Sequence, residues 1–186
     1  MNTLRTFVAL DIPIGDELKK TWNSIIKDHI KDSIKWVDPH ILHLTLFFLG
    51  ETPIATIDSI KINLTNFLLD FKSFKITLKG LGVFGSKNNP RVIWVGVVPS
   101  DSLLLIYQKI VDSLKPSGFL PDERGFNPHI TLGRIKNLFD VNKFIHSVNV
   151  EQNKVFQETR VDKVTLYKSD LTPKGPIYTP LHQVKI

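Results

Sequence analysis

The chain contains no cysteine and a single methionine. Disulfides, thiolate nucleophiles and cysteine-built zinc sites are therefore excluded. No stretch approaches the roughly 18 consecutive apolar residues that a membrane-spanning helix needs. The opening run Met1-Asn2-Thr3-Leu4-Arg5-Thr6 leads into a strand-like segment with neither a long apolar core nor a cleavage-site pattern, so no leader peptide is expected. A glycine-rich loop of the nucleoside-triphosphatase type is also missing, and nothing in the sequence requires ATP. Low-complexity tracts and interdomain linkers are absent too. What is present is ordinary for a globular protein: 186 residues, 42% hydrophobic and 23% charged. That length suits one domain, residues 1–186, with a sizeable core or two lobes sharing one. The formal net charge of +6 favours an anionic partner such as RNA, although mild basicity alone is a weak guide.

Residue periodicity predicts alternating strands and helices. Thr3–Ile12 alternates and is rich in Phe, Val and Leu, which reads as a strand ended by Pro13. Gly15–Lys31 places Leu18, Trp22, Ile25, Ile26 and Ile30 on or near one helical stripe. Lys35–Val37 is short and extended, Leu42–Leu49 is a strand closed by Gly50, and Pro53–Leu69 is a second helix. Strands at Phe74–Phe84 and Arg91–Val98 flank the turn-forming stretch Gly85–Pro90. A third helix spans Asp101–Leu114, capped by Ser100 or Asp101. A strand at His129–Ile135, a short helix near Asp140–Ser147 and two closing strands, Val155–Lys168 and Ile177–Ile186, complete the pattern. The expected fold class is α+β and bilobal: two pseudo-symmetric lobes of antiparallel sheet, each backed by helices, around a central groove.

The chemistry-bearing feature is a tetrad written twice, His43-Leu44-Thr45-Leu46 and His129-Ile130-Thr131-Leu132, almost half the chain apart. In a strand, residues i and i+2 share a face, so each tetrad presents an imidazole beside a hydroxyl. Ideal alternation adds Phe47 to the face of His43 and Thr45, and turns Leu44, Leu46 and Phe48 to the core. Two such pairs facing each other supply an acid, a base and two hydrogen-bond donors for non-bridging phosphate oxygens. In-line displacement at phosphorus needs base and acid on opposite sides, which two symmetry-related imidazoles provide. Which imidazole starts charged is not fixed by this physics. A single His-x-Thr is more often a satisfied polar pair on a solvent face; two in equivalent strands, each followed by Leu, are much less often so.

With these residues in view, the sequence resembles the 2H phosphoesterases, and within them the bacterial and archaeal RNA 2′,3′-cyclic phosphodiesterase branch, once called 2′-5′ RNA ligases. The resemblance covers most of the chain. It is carried by Arg5-Thr6-Phe7-Val8-Ala9-Leu10, by Leu42–Gly50, by Pro90-Arg91-Val92-Ile93-Trp94-Val95-Gly96 and by Phe126-Asn127-Pro128-His129-Ile130-Thr131-Leu132-Gly133-Arg134, with Tyr167–Ser169 and Tyr178 where closing strands belong. One departure is Phe47, where the branch often carries a polar or charged residue. The resemblance implies that His43 donates a proton to the leaving oxygen and that His129 takes one from the attacking water. Thr45 and Thr131 would bind the phosphate, as would Arg134. Strict alternation turns Arg134 away from His129, so its role needs Gly133 to bend the strand or the long side chain to wrap back.

Other candidates carry less. Phe7, Phe47, Phe126 and Tyr178 can stack on a nucleobase, and Phe126 and Tyr178, nearest the matching motifs, are the substrate contacts expected. Lys87, Arg91, Arg124 and Lys136 are candidates for a basic rim. His40 and His43 are three apart, but no acidic cluster stands nearby and no metal or cofactor is expected. His29, His146 and His182 read as surface or helix-cap residues. The expected activity is hydrolysis of RNA or nucleoside 2′,3′-cyclic phosphate ends to 2′-phosphates, with reverse 2′-5′ joining possible in principle. The alternatives are a cyclic phosphodiesterase acting on ADP-ribose cyclic phosphate or a 2′-5′ oligonucleotide, and a non-catalytic RNA- or nucleotide-binding module. The expected partners are RNA with 2′,3′-cyclic phosphate ends or cyclic nucleotides, without a membrane, and the expected state is a cytoplasmic monomer.

Overall fold

A computed structural model describes residues 2–86, 88–123, 125–173 and 175–186. Nine strands and four helices are found among them: β1 (Thr3–Asp11), α1 (Asp16–Asp28), β2 (Ser33–Trp36), β3 (His43–Pro53), α2 (Ile57–Leu68), β4 (Phe74–Ser86), β5 (Asn89–Val97), α3 (Asp101–Leu114), β6 (His129–Asn137), α4 (Val141–Val150), β7 (Val155–Val161), β8 (Lys163–Thr172) and β9 (Gly175–Lys185). The strands form two antiparallel sheets, ordered β3-β1-β8-β9 and β2-β6-β5-β4-β7. Helices α2 and α3 pack on the first sheet, α1 and α4 on the second. This is the two-lobed α+β arrangement that the sequence pattern predicts.

Local chemistry explains the helix ends. The Ser100 hydroxyl accepts the Leu103 amide and the Asp140 carboxylate accepts the Lys143 amide, so α3 and α4 start where an N-cap stands. α1 buries Leu18, Trp22 and Ile25 on one stripe and keeps Asp16 and Glu17 in its first turn, where the helix dipole favours acids. Gly118 follows a short 3-10 turn, Lys115–Ser117, in the left-handed conformation and terminates it.

The division of strands between sheets departs from the sequence reading. The run expected as one strand over Val155–Lys168 breaks at Asp162: β7 becomes the edge of the second sheet, while β8 crosses to pair with β1 in the first. Likewise β2, from the first third of the chain, pairs with β6. Each lobe thus borrows strands from the other half of the sequence, and the core is one continuous apolar cluster from Val8 to Val184. No helix among the described residues is long and apolar enough to cross a membrane.

Candidate active site

The two tetrads sit on β3 and β6, which meet where the sheets abut. Both strands carry the same irregularity. In β3, Thr45 pairs with Ala9 but Phe47 pairs with Val8, leaving Leu46 as an extra residue. In β6, Thr131 pairs with Trp94 but Gly133 pairs with Ile93, leaving Leu132 extra. A bulge of this kind shifts the side-chain parity by one. Arg134 therefore returns to the face of His129 and Thr131, as the Gly133 bend requires. The sequence-based assignment of Phe47 is corrected by the same device: Phe47 is a core residue, 5% exposed, and Phe48 takes the open face at 53%, with the Arg5 guanidinium 4.8 Å above its ring. Phe48 and Arg134 occupy equivalent places in the two lobes.

A cavity of about 420 Å³ opens between the sheets, lined by His43, Thr45, His129, Thr131, Arg134 and Tyr178 among others. Its remaining walls were not legible in the sequence. Trp36 and Val37 come from β2 and the segment after it, Ile41 from the turn before β3, and Ile177 from β9. The end of the β8–β9 hairpin, with Thr172 and Gly175, reaches the same cavity as Lys35, so one end of the groove is closed from both lobes. Short segments with no chemical motif gave no signal, because their role depends on which strands they oppose.

Each imidazole is held in the same way. The Nδ1 of His43 lies 2.8 Å from the Ile41 carbonyl oxygen, and that of His129 lies 2.7 Å from the Asn127 carbonyl oxygen. A carbonyl only accepts, so Nδ1 carries the proton and donates, and Nε2 is left as the atom that takes or gives one. Aromatic rings brace both. His43 meets Phe7 at 4.9 Å and the edge of Tyr178 at 5.1 Å; His129 meets Phe84 at 4.7 Å and Trp94 at 6.4 Å. The Trp94 ring lies over Gly82, where a Cβ would fall within 2.3 Å of it, so only glycine leaves room for that brace.

Burial pushes both imidazoles below the usual histidine pKa, because an uncompensated cation is disfavoured away from water. Their surroundings differ. At His43 the bond to Ile41 and the negative charge of Asp11 oppose the shift, and a charge on His129 deepens it. At His129 the bond to Asn127 opposes it, and the Arg134 guanidinium deepens it. An acid beside His43 favours its charged form; a guanidinium beside His129 favours its neutral one. Asp11, in register with His43 across β1 and β3, accepts from Tyr167 Oη at 2.5 Å and pairs with Lys163 at 3.2 Å.

Several sequence candidates lie elsewhere. Phe126 stacks flat on Tyr107 of α3, with centroids 4.2 Å apart, and does not line the cavity, whereas Tyr178 does. Phe7 braces His43 from beneath and is buried. Arg91 and Lys136 are exposed outside the cavity wall, and Lys87 and Arg124 lie outside the described residues. His29 is the C-cap of α1, as a cap reading allows, but it is buried rather than superficial: Nδ1 meets Asp32 at 2.7 Å and Nε2 meets Ser147 at 3.1 Å. His182 bonds Thr65. Among the described residues no group of three or more His, Cys, Asp or Glu is placed to hold a metal ion.

Comparison with known proteins gives the family and the fold. The chain is 39% identical over 183 residues to a Thermotoga maritima protein named RNA 2′,3′-cyclic phosphodiesterase, covering 97% of this chain and 94% of that one. It is 32% identical over 186 residues to a protein of the same name from Methanothermobacter thermautotrophicus, covering 98% and 99%. Among solved structures, one from Thermus thermophilus superposes with a TM-score of 0.76 at 26% identity, over 98% of this chain and 97% of that one. Escherichia coli LigT complexed with 3′-AMP superposes with a TM-score of 0.74 at 25% identity, over 100% and 99%. The profile of the 2′-5′ RNA ligase superfamily matches residues 16–173, most of the chain, and the chain belongs to that superfamily.

Proposed function

We propose that the protein is an RNA 2′,3′-cyclic phosphodiesterase that opens a terminal cyclic phosphate to a 2′-phosphate by acid–base catalysis between His43 and His129. The observation that carries this reading is the matched pair of imidazoles. Both are anchored through Nδ1 to a backbone carbonyl, and both line one cavity with two threonines and Arg134. The shared name of the relatives supports a phosphodiester as substrate, and the 3′-AMP bound to E. coli LigT supports a nucleotide as the group recognised.

Water attacks phosphorus from the His129 side, passing a proton to neutral Nε2. The P–O3′ bond breaks on the opposite side, and Nε2–H of charged His43 protonates the departing O3′. The product carries a 2′-phosphate and a free 3′-hydroxyl, and proton transfer through solvent restores the pair. Thr45 and Thr131 donate to the non-bridging oxygens as charge builds there, and the Arg134 guanidinium neutralises it. The asymmetric surroundings of the two rings support this direction of proton flow. With a 5′-hydroxyl in place of water as the nucleophile, the same groups join the two ends through a 2′-5′ linkage, which hydrolysis outcompetes in water. A binding module has no use for a matched acid and base, and that favours catalysis over it.

The test is hydrolysis of 2′,3′-cyclic AMP and of an RNA ending in a cyclic phosphate, with EDTA present. Turnover of both is expected, and His43→Ala and His129→Ala should each reduce kcat by at least about a hundredfold. Wild-type activity in either variant refutes the assignment. Binding without turnover would favour the non-catalytic module.

A further inference from the structure

A second cavity, of about 470 Å³, adjoins the first, and Ile41, Leu42, His43 and Tyr178 line both. Its own walls come from Asp11, His40, Lys163, Tyr167 and Pro180, among others. Both volumes fall in the range of about 300–1,000 Å³ typical of small-molecule sites. A mononucleotide needs only the first. We propose that the second cavity is the subsite for the penultimate nucleotide of a single-stranded RNA whose terminal cyclic phosphate lies between His43 and His129.

This rests on the acid–base reading above, which fixes the direction. The leaving O3′ departs toward His43, so the terminal ribose lies on the His43 side of phosphorus. The chain continuing from that ribose through O5′ then runs past His43, where the second cavity opens. The lining chemistry suits a nucleotide. Lys163 has three donors, of which Asp11 takes one at 3.2 Å, leaving the ammonium able to meet the connecting phosphate. His40 stands exposed on the turn Pro39–Ile41, which is held by the Asp38 carboxylate accepting the His40 amide at 2.9 Å. Its imidazole and the phenol rings of Tyr167 and Tyr178 offer planar faces for an unstacked base. A small cyclic nucleotide without an upstream chain would leave His40, Lys163 and Tyr167 without a substrate contact.

The experiment compares kcat/KM for 2′,3′-cyclic AMP with that for a diadenosine ending in a 2′,3′-cyclic phosphate, in wild type, His40→Glu and Lys163→Ala. The wild type should prefer the dinucleotide, and its kcat/KM on that substrate should fall more steeply with salt. Each substitution should lower the dinucleotide-to-mononucleotide ratio by about fivefold or more. Equal losses on both substrates, or no wild-type preference, overturn the subsite while leaving the hydrolytic reading intact. Failure of the wild type to hydrolyse either substrate overturns that reading, and the subsite with it.

Discussion

Replacing Gly133 with alanine tests whether the bulge in β6 is what aims Arg134 and walls the cavity. A Cβ built on Gly133 falls 2.9 Å from Trp36 Cε3, 3.0 Å from Ile34 Cγ2 and 3.2 Å from Ile93 Cγ2, all closer than ordinary carbon contacts. Of these neighbours Ile93 is fixed by the core, while Ile34 and Trp36 are half-buried residues of β2. The Trp36 indole is wedged edge-on against Trp22, and Ile93 is fully buried. The cheapest relief is to push β2 outward, since it is a four-residue edge strand paired only with β6. Overpacking of this kind costs about 1–3 kcal/mol. Opposing it, alanine reduces the freedom of the unfolded chain by about 0.4–1 kcal/mol. The net effect is a destabilisation of about 0.5–2 kcal/mol, or a fall in Tm of about 1–8 °C for a protein of this size. Because Lys35, Trp36 and Val37 line the cavity, the displacement should also reach the site, lowering kcat/KM on a cyclic nucleotide by about tenfold, in keeping with the cost of small misplacements. Thermal unfolding and steady-state kinetics on the purified variant read both effects. A Gly133→Ala protein with unchanged Tm and unchanged kcat/KM would refute the claim that close packing at the bulge sets the site.

Thr131→Val keeps the shape and removes the donor, and should lower kcat by about a hundredfold with little change in Tm; a loss confined to KM would contradict transition-state donation. The pH–rate profile should be bell-shaped, because His129 must be neutral and His43 charged, with both pKa values displaced below the ordinary histidine value by burial. Asp11→Asn removes the charge that favours protonated His43, lowering its pKa further. The loss of rate should appear on the alkaline side, where the charged fraction of His43 limits, and leave the acid side unchanged; a uniform loss at all pH would remove Asp11 from this role. Tyr178→Ala should raise KM by about tenfold through loss of a ring against substrate. Phe126→Ala should instead cost about 1–2 kcal/mol of stability through the broken stack on Tyr107, and an effect of Phe126→Ala on KM alone would reverse that distinction.

Much of this site is written in short-range pattern. His43 and Thr45, and His129 and Thr131, share a face because adjacent turns and apolar residues force both tetrads into strands, and strand geometry does the rest. Helix α3 begins at Asp101 because Ser100 caps it, a signal contained in three residues. Strict alternation fails at the bulge in β3. Phe47 and Phe48 exchange faces because Leu46 is left unpaired opposite β1, and no residue in the tetrad announces that. The long C-terminal run was divided at Asp162 because β7 and β8 have different partners, not because their composition differs.

The sequence by itself determined the elements and the reacting groups, since helix caps, turns and period-two alternation act over a few residues and are decided by the side chains involved. Only the tertiary structure decided where those groups point and what encloses them. Strand register, the β6 bulge that turns Arg134 toward His129, the crossing of β2 and β8 between lobes and the two joined cavities at His43 all arise from contacts between segments far apart in the chain. Such contacts are selected by the packing of the whole core, and the alternation of any single strand carries no record of its partner.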